Sequence, residues 1–236
     1  MIGKPRISLK HVSKSYTSRS KKEEGRMVLS EVDAEFEAGL VHLILGPSGC
    51  GKTTLLNIIG GFDTPDTGEV WVDDFRVDTL DQDRVANFRA GRIGVMFQNP
   101  NLIGYLTALE NVLLPAYFVG RGLEMEDALS LMKSVNIDGR ASALPSDLSE
   151  GERRRVSFAR ALMLSPKFIL ADEPTVSVDE ANKKAIVGAL REASRRNGAC
   201  VLIATHDTGL LEFADRTYRL FSGKLMNGVN ESLHHG

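Results

Sequence analysis

The stretch GPSGCGKTT, residues 46–54, has the residue types and spacing of a loop that holds the phosphates of a nucleotide. It matches G-x-x-x-x-G-K-[ST] at Gly46, Gly51, Lys52 and Thr53. Its glycines let backbone N–H groups point at a phosphate, Lys52 can reach the terminal phosphates, and the Thr53 hydroxyl can ligate Mg²⁺. The alternative is a glycine-rich turn that matches by chance. The loop residues predicted to bind ATP are Gly46, Pro47, Ser48, Gly49, Cys50, Gly51, Lys52, Thr53 and Thr54.

Two carboxylates and a histidine could supply the rest of a phosphoryl-transfer site. Asp172 and Glu173 end the apolar run FILADEP, where Asp172 can hold Mg²⁺ through water and Glu173 can polarise an attacking water. His206 ends a second apolar run, CVLIATHD, and is expected to reach the terminal phosphate near Glu173. The alternatives are an acidic turn after a strand and a histidine with a structural role. We predict Glu173 and His206 to be catalytic and Asp172 to be a metal ligand.

The stretch LSEGERRRVSFARAL, residues 148–162, has the pattern of a capped helix start. Ser149 and Glu152 are spaced as a capping box, in which each side chain bonds the other residue's backbone N–H. Glu150 lies in the first turn, where the helix dipole favours an acid by about 0.3 to 1 kcal/mol. The same carboxylate would repel an anion bound at that helix end. The arginines at 153–155 either offset this repulsion or form a solvated or acid-paired helix face.

For these side chains to form one site, the strands that carry them must end side by side in a sheet. LVHLIL, residues 40–45, is a short apolar run directly before the phosphate loop, and KTTLLNIIGG follows that loop as a helix. FILAD (168–172) and CVLIAT (200–205) have the uninterrupted apolar character of strands inside a parallel sheet. Because α/β sheets present catalytic groups at the ends of neighbouring parallel strands, we expect the acids and His206 to lie near the loop.

The remaining elements surround this sheet. Alternating apolar residues on both sides of 18–26 predict N-terminal strands joined by a solvated loop. Residues 100–164 are mostly helical in pattern, which predicts a helical insertion in an α/β core, and Thr107 and Glu110 are spaced as a capping box. The stretch 178–198 predicts a helix that covers the sheet and ends at a glycine.

Composition narrows the class of protein. Lys+Arg and Asp+Glu nearly balance at 29 and 31, which gives no support for a nucleic-acid partner. The two cysteines, Cys50 and Cys200, are not in a metal-ligand spacing and are predicted to be free thiols in a reducing cytosol. The N-terminal residues lack the apolar core of a signal peptide, and no uncharged run is long enough to span a bilayer. A membrane role is therefore expected only through a partner.

Taken together, GPSGCGKTT, the glutamine of VMFQNPN, LSEGE, LADEP and His206 resemble, in order and spacing, the motifs of the ATP-binding cassette (ABC) ATPases. The resemblance runs through nearly all 236 residues and implies one domain, 1–236, of the α/β P-loop NTPase class. It implies a RecA-like core, an antiparallel β subdomain and a helical subdomain at about 100–164. It also implies a head-to-tail dimer that sandwiches two ATP molecules, with Mg²⁺, between one copy's phosphate loop and the other copy's signature.

Further roles follow from the resemblance alone. Tyr16 resembles the aromatic residue that stacks on adenine, and its alternative is a surface tyrosine at a strand end. Gln98 is similar to the residue that senses Mg²⁺ and the γ-phosphate and links them to the helical subdomain. Asp179 resembles the loop residue that crosses the dimer axis, although VSVD departs from the more frequent SALD-like form. These roles are added to those of the loop, the acids and His206.

The resemblance assigns the signature in trans to Ser149, Glu150, Gly151 and Glu152. The common form of the signature is LSGGQ, so Glu152 is a mild departure and Glu150 replaces a glycine. We predict that Glu150 turns its carboxylate away from the partner's nucleotide and weakens ATP-driven closure of the dimer.

Within the family, FQNPNLIGYLTALENVLLP is similar to the corresponding segment of the lipoprotein-releasing and macrolide-efflux exporters and of a related cell-division cassette. This similarity implies an ATPase subunit that drives integral membrane permease subunits, held in the cytoplasm on the inner face of the cell membrane. The partners expected are ATP, a second copy or a homologous cassette, and the permease, with no nucleic acid. The alternative is a soluble or regulatory ABC ATPase that uses ATP mainly as a dimerisation switch.

Overall fold

The computed structural model describes residues 6–17, 26–120, 122 and 125–228. The charged stretch at 18–26, predicted to be a solvated loop, lies outside these residues except for Arg26, which begins a strand. The strands are β1 (Arg6–Tyr16), β2 (Arg26–Glu37), β3 (Val41–Leu45), β4 (Thr67–Val72), β5 (Phe75–Arg76), β6 (Ile93–Met96), β7 (Phe168–Asp172), β8 (Cys200–Thr205), β9 (Arg216–Phe221) and β10 (Lys224–Asn227). The α-helices are α1 (Lys52–Ile59), α2 (Gln82–Arg89), α3 (Ala108–Phe118), α4 (Met125–Ser134), α5 (Glu150–Leu162) and α6 (Glu180–Asn197). Short 3₁₀ helices cover Val77–Thr79, Asp138–Arg140, Pro145–Asp147 and Thr208–Phe213.

A six-stranded sheet in the order β10-β9-β3-β8-β7-β6 forms the centre of the chain. The strands from β9 to β6 run parallel, and β10 pairs with β9 in the antiparallel direction. Leu45 pairs with Thr205, and Asp172 pairs with Ala204. The carboxyl ends of β3, β8 and β7 therefore lie at one edge, which confirms the predicted parallel arrangement.

Successive side chains of the central strands enter two different apolar cores. Phe168 and Leu170 pack on the face that is covered by α1 and the N-terminal strands, whereas Ile169 and Ala171 pack on the face covered by α3 to α6. All five residues of β7 are buried. Burial on both faces explains why these strands have uninterrupted apolar runs rather than an alternation of apolar and polar residues.

A second, four-stranded antiparallel sheet has the order β2-β1-β4-β5. Ile7 pairs with Phe36 and Leu9 pairs with Ala34, which confirms the N-terminal strands predicted from alternation. The sequence pattern had not indicated β4, β5 or α2. Helix α2 buries only Phe88, so its sequence carries little apolar periodicity.

Helices α3, α4 and α5 all lie within 100–164, as the helical pattern predicts. The predicted capping box of Thr107 and Glu110 is present at the start of α3. Residues 97–107 contain no helix, however, and their backbone is held instead by the buried side chain of Asn111. Its amide accepts from the N–H of Ile103 and donates to the carbonyl oxygens of residues 103, 106 and 107 at 3.0 to 3.1 Å.

Helix α6 covers the sheet and ends at Gly198, whose φ of 68° is the left-handed conformation that suits a glycine after a helix. Its residues Ile186, Val187 and Leu190 are buried, as predicted. In the described ranges, no helix combines the length and the apolar character that crossing a bilayer requires.

Candidate nucleotide-binding and catalytic site

The phosphate loop connects β3 to α1 and wraps around the first turn of that helix. Gly51 precedes α1 with a φ of 109°, and a Cβ at this position would lie 2.8 Å from Val28 Cγ1. A side chain is therefore excluded both by backbone strain and by space. Because the N-cap is a glycine, the first N–H groups of α1 have no side-chain cap and remain available to an anion.

The Lys52 side chain lies within this loop and is only 6% exposed. Its Nζ donates to the carbonyl oxygens of Gly46 at 2.8 Å and Pro47 at 3.2 Å, and it lies 3.5 Å from Glu173 Oε1. The ammonium group thus links the loop to the end of β7. It lies within a few ångströms of both the phosphate-binding backbone and the acid predicted to polarise water.

Thr53 and Asp172 form an oxygen pair beside the loop. The Thr53 hydroxyl donates to Asp172 Oδ2 at 2.6 Å, and burial raises the pKa of Asp172 above its ordinary value. A hydroxyl and a carboxylate oxygen this close, next to a phosphate-binding loop, fit Mg²⁺, which prefers oxygen ligands and keeps waters and phosphate oxygens in its shell.

We expect Asp172→Asn to raise the thermal stability of the nucleotide-free chain while abolishing turnover. The pKa of Asp172 is higher in the folded chain than its ordinary 3.8, so deprotonation opposes folding at every pH above that value. Relief of this unfavourable ionisation should raise the melting temperature at pH 7, where each 1 kcal/mol corresponds to about 2–4 °C for a chain of this size. The gain should shrink as the pH falls through the raised pKa of the folded chain and disappear below the ordinary value of 3.8, because the acid is then protonated in both states. A lower melting temperature at pH 7 would contradict the argument.

Glu173 is held in a fixed position by its neighbours. It has a φ of 49°, its N–H donates to the Ala204 carbonyl, and its side chain is buried. Glu173 Oε2 accepts from the Thr205 hydroxyl at 2.8 Å, and Oε1 lies 3.0 Å from His206 Nδ1. Oε1 therefore lies between Lys52 and His206, and the structure brings all three groups together as the sequence predicts.

Thr205 is a site residue that the sequence interpretation missed. It is completely buried, donates to Glu173, and accepts from the N–H of Asp207 at 3.0 Å. The usable signal was its place at the end of β8, directly before His206 and in register with Leu45. Asp207 in turn pairs with Lys183 of α6, which fixes the segment that carries His206.

A cleft of about 490 Å³ extends from the phosphate loop to Tyr16 and also includes Arg26, Thr53 and Thr54. The Tyr16 hydroxyl donates to Asp63 Oδ2 at 2.6 Å, which fixes the ring at the cleft. The Lys14 ammonium lies 5.2 Å from the ring centre. Tyr16 is 45% exposed, so part of it remains accessible to a planar ligand in this cleft.

We expect Tyr16→Ala to raise the KM for ATP by about tenfold, because loss of one aromatic platform for a base costs about 1–3 kcal/mol. Tyr16→Phe keeps the ring and loses only the bond to Asp63, so its KM should rise less. Steady-state phosphate release at varied ATP would measure both. A fall in kcat at unchanged KM in Tyr16→Ala would contradict a role in stacking.

Gln98 and Asp179 occupy positions next to the same edge of the sheet. Gln98 follows β6, the neighbour of β7, and is exposed, while its carbonyl oxygen accepts from Arg154 Nη1 at 2.8 Å. Asp179 follows the turn after Glu173 and caps α6 by accepting from the N–H of Asn182. The roles of Gln98 in sensing Mg²⁺ and of Asp179 at a dimer axis remain predictions.

The predicted signature turn begins α5. The capping box of Ser149 and Glu152 is present, which confirms the prediction from spacing. Glu152 also accepts from Arg140 at 2.9 Å, and this hydrogen bond, with those from Ser149, lowers the pKa of Glu152 to about 2. A Cβ on Gly151 would lie 3.1 Å from the Ser177 carbonyl oxygen. In the described part of the chain, no hydrogen bond or ion pair joins this turn to the phosphate loop.

Arg153, Arg154 and Arg155 differ in their contacts and burial. Arg153 donates to the carbonyl oxygens of Pro145 and Leu148, and Arg154 pairs with Glu150. Arg154 and Arg155 are both buried, so a solvated face is wrong for these two residues, whereas the acid-paired alternative is confirmed for Arg154.

Comparison with known proteins decides the family. A family model described as "ABC transporter" matches residues 29–176, more than half of the chain. The chain belongs to the ABC transporter family. The predicted P-loop NTPase fold and ATPase class are thereby confirmed, and the chain is an ABC ATPase cassette.

Several curated ABC proteins are similar to this cassette. An uncharacterized ABC transporter ATP-binding protein, MJ0796 of Methanocaldococcus jannaschii, is 39% identical over 93% of this chain and 94% of its own length. The lipoprotein-releasing system ATP-binding protein LolD of Treponema denticola is 36% identical over 95% of this chain and 99% of its own length. The macrolide export ATP-binding/permease protein MacB of Rhodopirellula baltica is 38% identical over 86% of this chain, which spans only 30% of the MacB protein.

Solved ABC cassettes share the architecture. A dimeric structure of MJ0796 superposes with a TM-score of 0.87 at 38% identity and covers 93% of this chain and 96% of its own. A dimeric post-hydrolysis state of MJ0796 bound to ADP and Pi superposes with a TM-score of 0.88 at 37% identity and covers 98% of this chain and all of its own.

Proposed function

We propose that this cassette binds ATP with Mg²⁺, hydrolyses it as a head-to-tail dimer, and drives integral membrane subunits from the cytoplasmic face of the cell membrane. The observation that carries the proposal is the convergence of Lys52, Glu173 and His206 beside the phosphate loop. The capped turn at Ser149 has no described bond to that loop. A second copy would therefore supply the turn, which is supported by the dimeric form of the similar MJ0796 cassettes.

The site residues divide the work of hydrolysis. The backbone of residues 46–51 and Lys52 bind the phosphate chain, and Tyr16 orients the base. Glu173, held by Thr205, positions a water molecule against the γ-phosphate and accepts its proton. His206 keeps Oε1 of Glu173 in place and offers its exposed ring edge to the γ-phosphate. Mg²⁺, when held by Thr53, Asp172 and Gln98, supplies charge that neutralises the phosphates.

An exposed aromatic surface supports a membrane partner. Tyr105, Tyr117 and Phe118 are 82%, 71% and 74% exposed. Phe118 borders a groove of about 500 Å³ between α3 and β6, which is also lined by Phe62 and Phe97. The ring centres of Tyr117 and Phe118 lie 6.1 Å apart, and adjoining exposed aromatic residues of this kind mark protein interfaces. We assign the groove to a segment of the membrane subunit, in line with the LolD and MacB relatives, whose names concern lipoprotein release and macrolide export.

The test has two parts. Purified chain with Mg²⁺ and ATP should release phosphate at a rate per chain that rises with chain concentration, because each complete site needs two copies. Affinity purification of the tagged chain from native membranes should recover a permease-type protein. Recovery of ribosomes or DNA instead would contradict the membrane role.

A second candidate, a regulatory cassette that uses ATP as a dimerisation switch, is favoured by Glu150 alone. It predicts ATP-dependent dimers without phosphate release above that of the Glu173→Gln variant. Measuring dimerisation and phosphate release on the same sample separates the two functions.

A further inference from the structure

The first turn of α5 carries an acid at the end of the helix where an anion would bind. Glu150 is the first residue of this helix, and its side chain is 54% exposed. The N-terminal N–H groups and the helix dipole attract phosphate to this end, whereas an ionised carboxylate repels it. The repulsion between the Glu150 carboxylate and a phosphate is strongest if the carboxylate has no counter-charge.

Arg154, one turn further along α5, supplies a counter-charge. Its Nη2 and Nε lie 2.9 and 3.3 Å from Glu150 Oε1, so the carboxylate is drawn along the helix and away from the N-terminal N–H groups. The third donor, Nη1, binds the carbonyl oxygen of Gln98 at 2.8 Å. The Arg154 side chain is only 6% exposed, so these acceptors fix its orientation.

The segment after β7 also contacts this turn. The Arg154 guanidinium, and after it the Ser177 hydroxyl, hold the pKa of Glu150 below its ordinary value. Ser177 has a φ of 59°, and its carbonyl oxygen lies against Gly151. Glu150 therefore remains ionised and lies where the start of α5, the Gln98 segment and the Ser177 segment meet.

Within the described residues, the neighbouring arginines make no hydrogen bond or ion pair with the Glu150 carboxylate. Arg153 donates to backbone carbonyl oxygens, and the buried Nε of Arg155 has no hydrogen-bond partner within the described residues. Among the described hydrogen bonds and ion pairs, those of the Glu150 carboxylate go to Arg154. Among the described cations, Arg154 therefore forms the direct ion pair with Glu150, whereas Arg153 acts on this carboxylate only through its charge.

We propose that Arg154 is a positioning residue that neutralises and withdraws the Glu150 carboxylate, so that the first turn of α5 can accept the terminal phosphate of ATP bound to a second copy. The proposal rests on the proposed head-to-tail dimer. It adds a requirement that the signature turn alone does not contain: closure over ATP needs the charge of the ionised Glu150 to be balanced by Arg154. The same guanidinium ties the turn to Gln98, so the two segments meet the nucleotide together.

The experiment uses the full chain with Glu173→Gln, so that ATP-bound dimers accumulate. Arg154→Gln removes the positive charge, and because its side chain is two bonds shorter it also loses the hydrogen bond from Nη1 to the Gln98 carbonyl oxygen, a loss that the double variant below shares. We expect this change to raise the ATP concentration for half-maximal dimerisation by about tenfold in 50 mM salt. The unpaired Glu150 carboxylate would then face the negatively charged phosphate, and like charges placed close together at an interface weaken binding. The increase should shrink at 500 mM salt, where screening is stronger. Light scattering after size-exclusion chromatography measures the dimer.

Two further variants separate charge from structure. The double variant Glu150→Gln with Arg154→Gln should return the midpoint to within about twofold of the parent, because the unpaired acid is then absent. Arg196→Gln removes the cation of the exposed Glu192–Arg196 pair, which has the same i,i+4 spacing in α6, and should leave the midpoint unchanged. Binding of a fluorescent ATP analogue to the monomer should be equal in all variants, because the turn acts on the other copy's nucleotide.

The outcomes distinguish failure of the positioning role of Arg154 from failure of the proposed head-to-tail dimer. If Arg154→Gln dimerises like its parent, or if the double variant is as impaired as Arg154→Gln at both salt concentrations, the positioning role is wrong while the dimer stands. If the Glu173→Gln parent forms no dimer with ATP at any chain concentration, the proposed head-to-tail dimer itself is wrong.

Discussion

Replacing Glu173 with glutamine should lower the turnover of ATP by about 10²- to 10⁴-fold, the usual contribution of a positioned general base. Glutamine has the same length and can still accept from the Thr205 hydroxyl, so the fold and the position of the side chain are retained. It cannot take a proton from water, and ATP should therefore remain bound. Phosphate release under saturating Mg²⁺ and ATP measures the loss.

The same variant should accumulate ATP-dependent dimers, because hydrolysis is the step that opens them. A matched control is Glu192→Gln, which changes an exposed acid on α6 that is remote from the loop in sequence and that, within the described ranges, forms an ion pair with Arg196 alone. The control should hydrolyse ATP like the unchanged chain. Turnover by Glu173→Gln within threefold of the unchanged chain would show that another group activates water.

Replacing Lys52 with alanine should remove turnover and weaken ATP binding by about 10- to 100-fold, since hydrogen bonds to charged groups contribute about 1.5–3 kcal/mol. The ammonium group also closes the loop by binding the carbonyl oxygens of Gly46 and Pro47. Its loss leaves Glu173 buried without the cation 3.5 Å away, so we also expect a lower melting temperature.

Titration with a fluorescent ATP analogue and thermal unfolding measure the two effects of Lys52→Ala. Lys133→Ala, on the exposed side of α4, is the control and should change neither. Unlike Glu173→Gln, Lys52→Ala should not accumulate dimers at ATP concentrations that saturate the unchanged chain. Tight ATP binding by Lys52→Ala would mean that the backbone of the loop is sufficient for affinity.

The parts of the site that could be predicted are those that depend on residues close together in the sequence. The strands β3, β7 and β8 are buried on both faces, and this produces apolar runs that are visible in the sequence. Capping boxes at Thr107 and Ser149 depend on residues three apart, so spacing alone predicts them. The residues of the phosphate loop are consecutive in the sequence, so their spacing alone also predicts that loop.

The parts that were not predictable depend on contacts between distant residues. Nothing near Tyr16 in the sequence indicates that its hydroxyl meets Asp63, and nothing near Glu173 indicates Thr205. The pair of Glu150 and Arg154 is local, but spacing left open whether the arginines were solvated. Burial of Arg154 against the Gln98 segment, 56 residues earlier in the chain, decides this.

The segment between β6 and α3 has a mechanical consequence. It has neither helix nor strand, yet arginine side chains of α5 bind the carbonyl oxygens of residues 98, 100 and 101, and Asn111 of α3 binds both backbone groups of Ile103. We expect an irregular segment held by hydrogen bonds at such short intervals to move together with α3 and α5 and not to act as a hinge. A displacement imposed at Gln98 is therefore expected to reach both α3 and α5 through these hydrogen bonds.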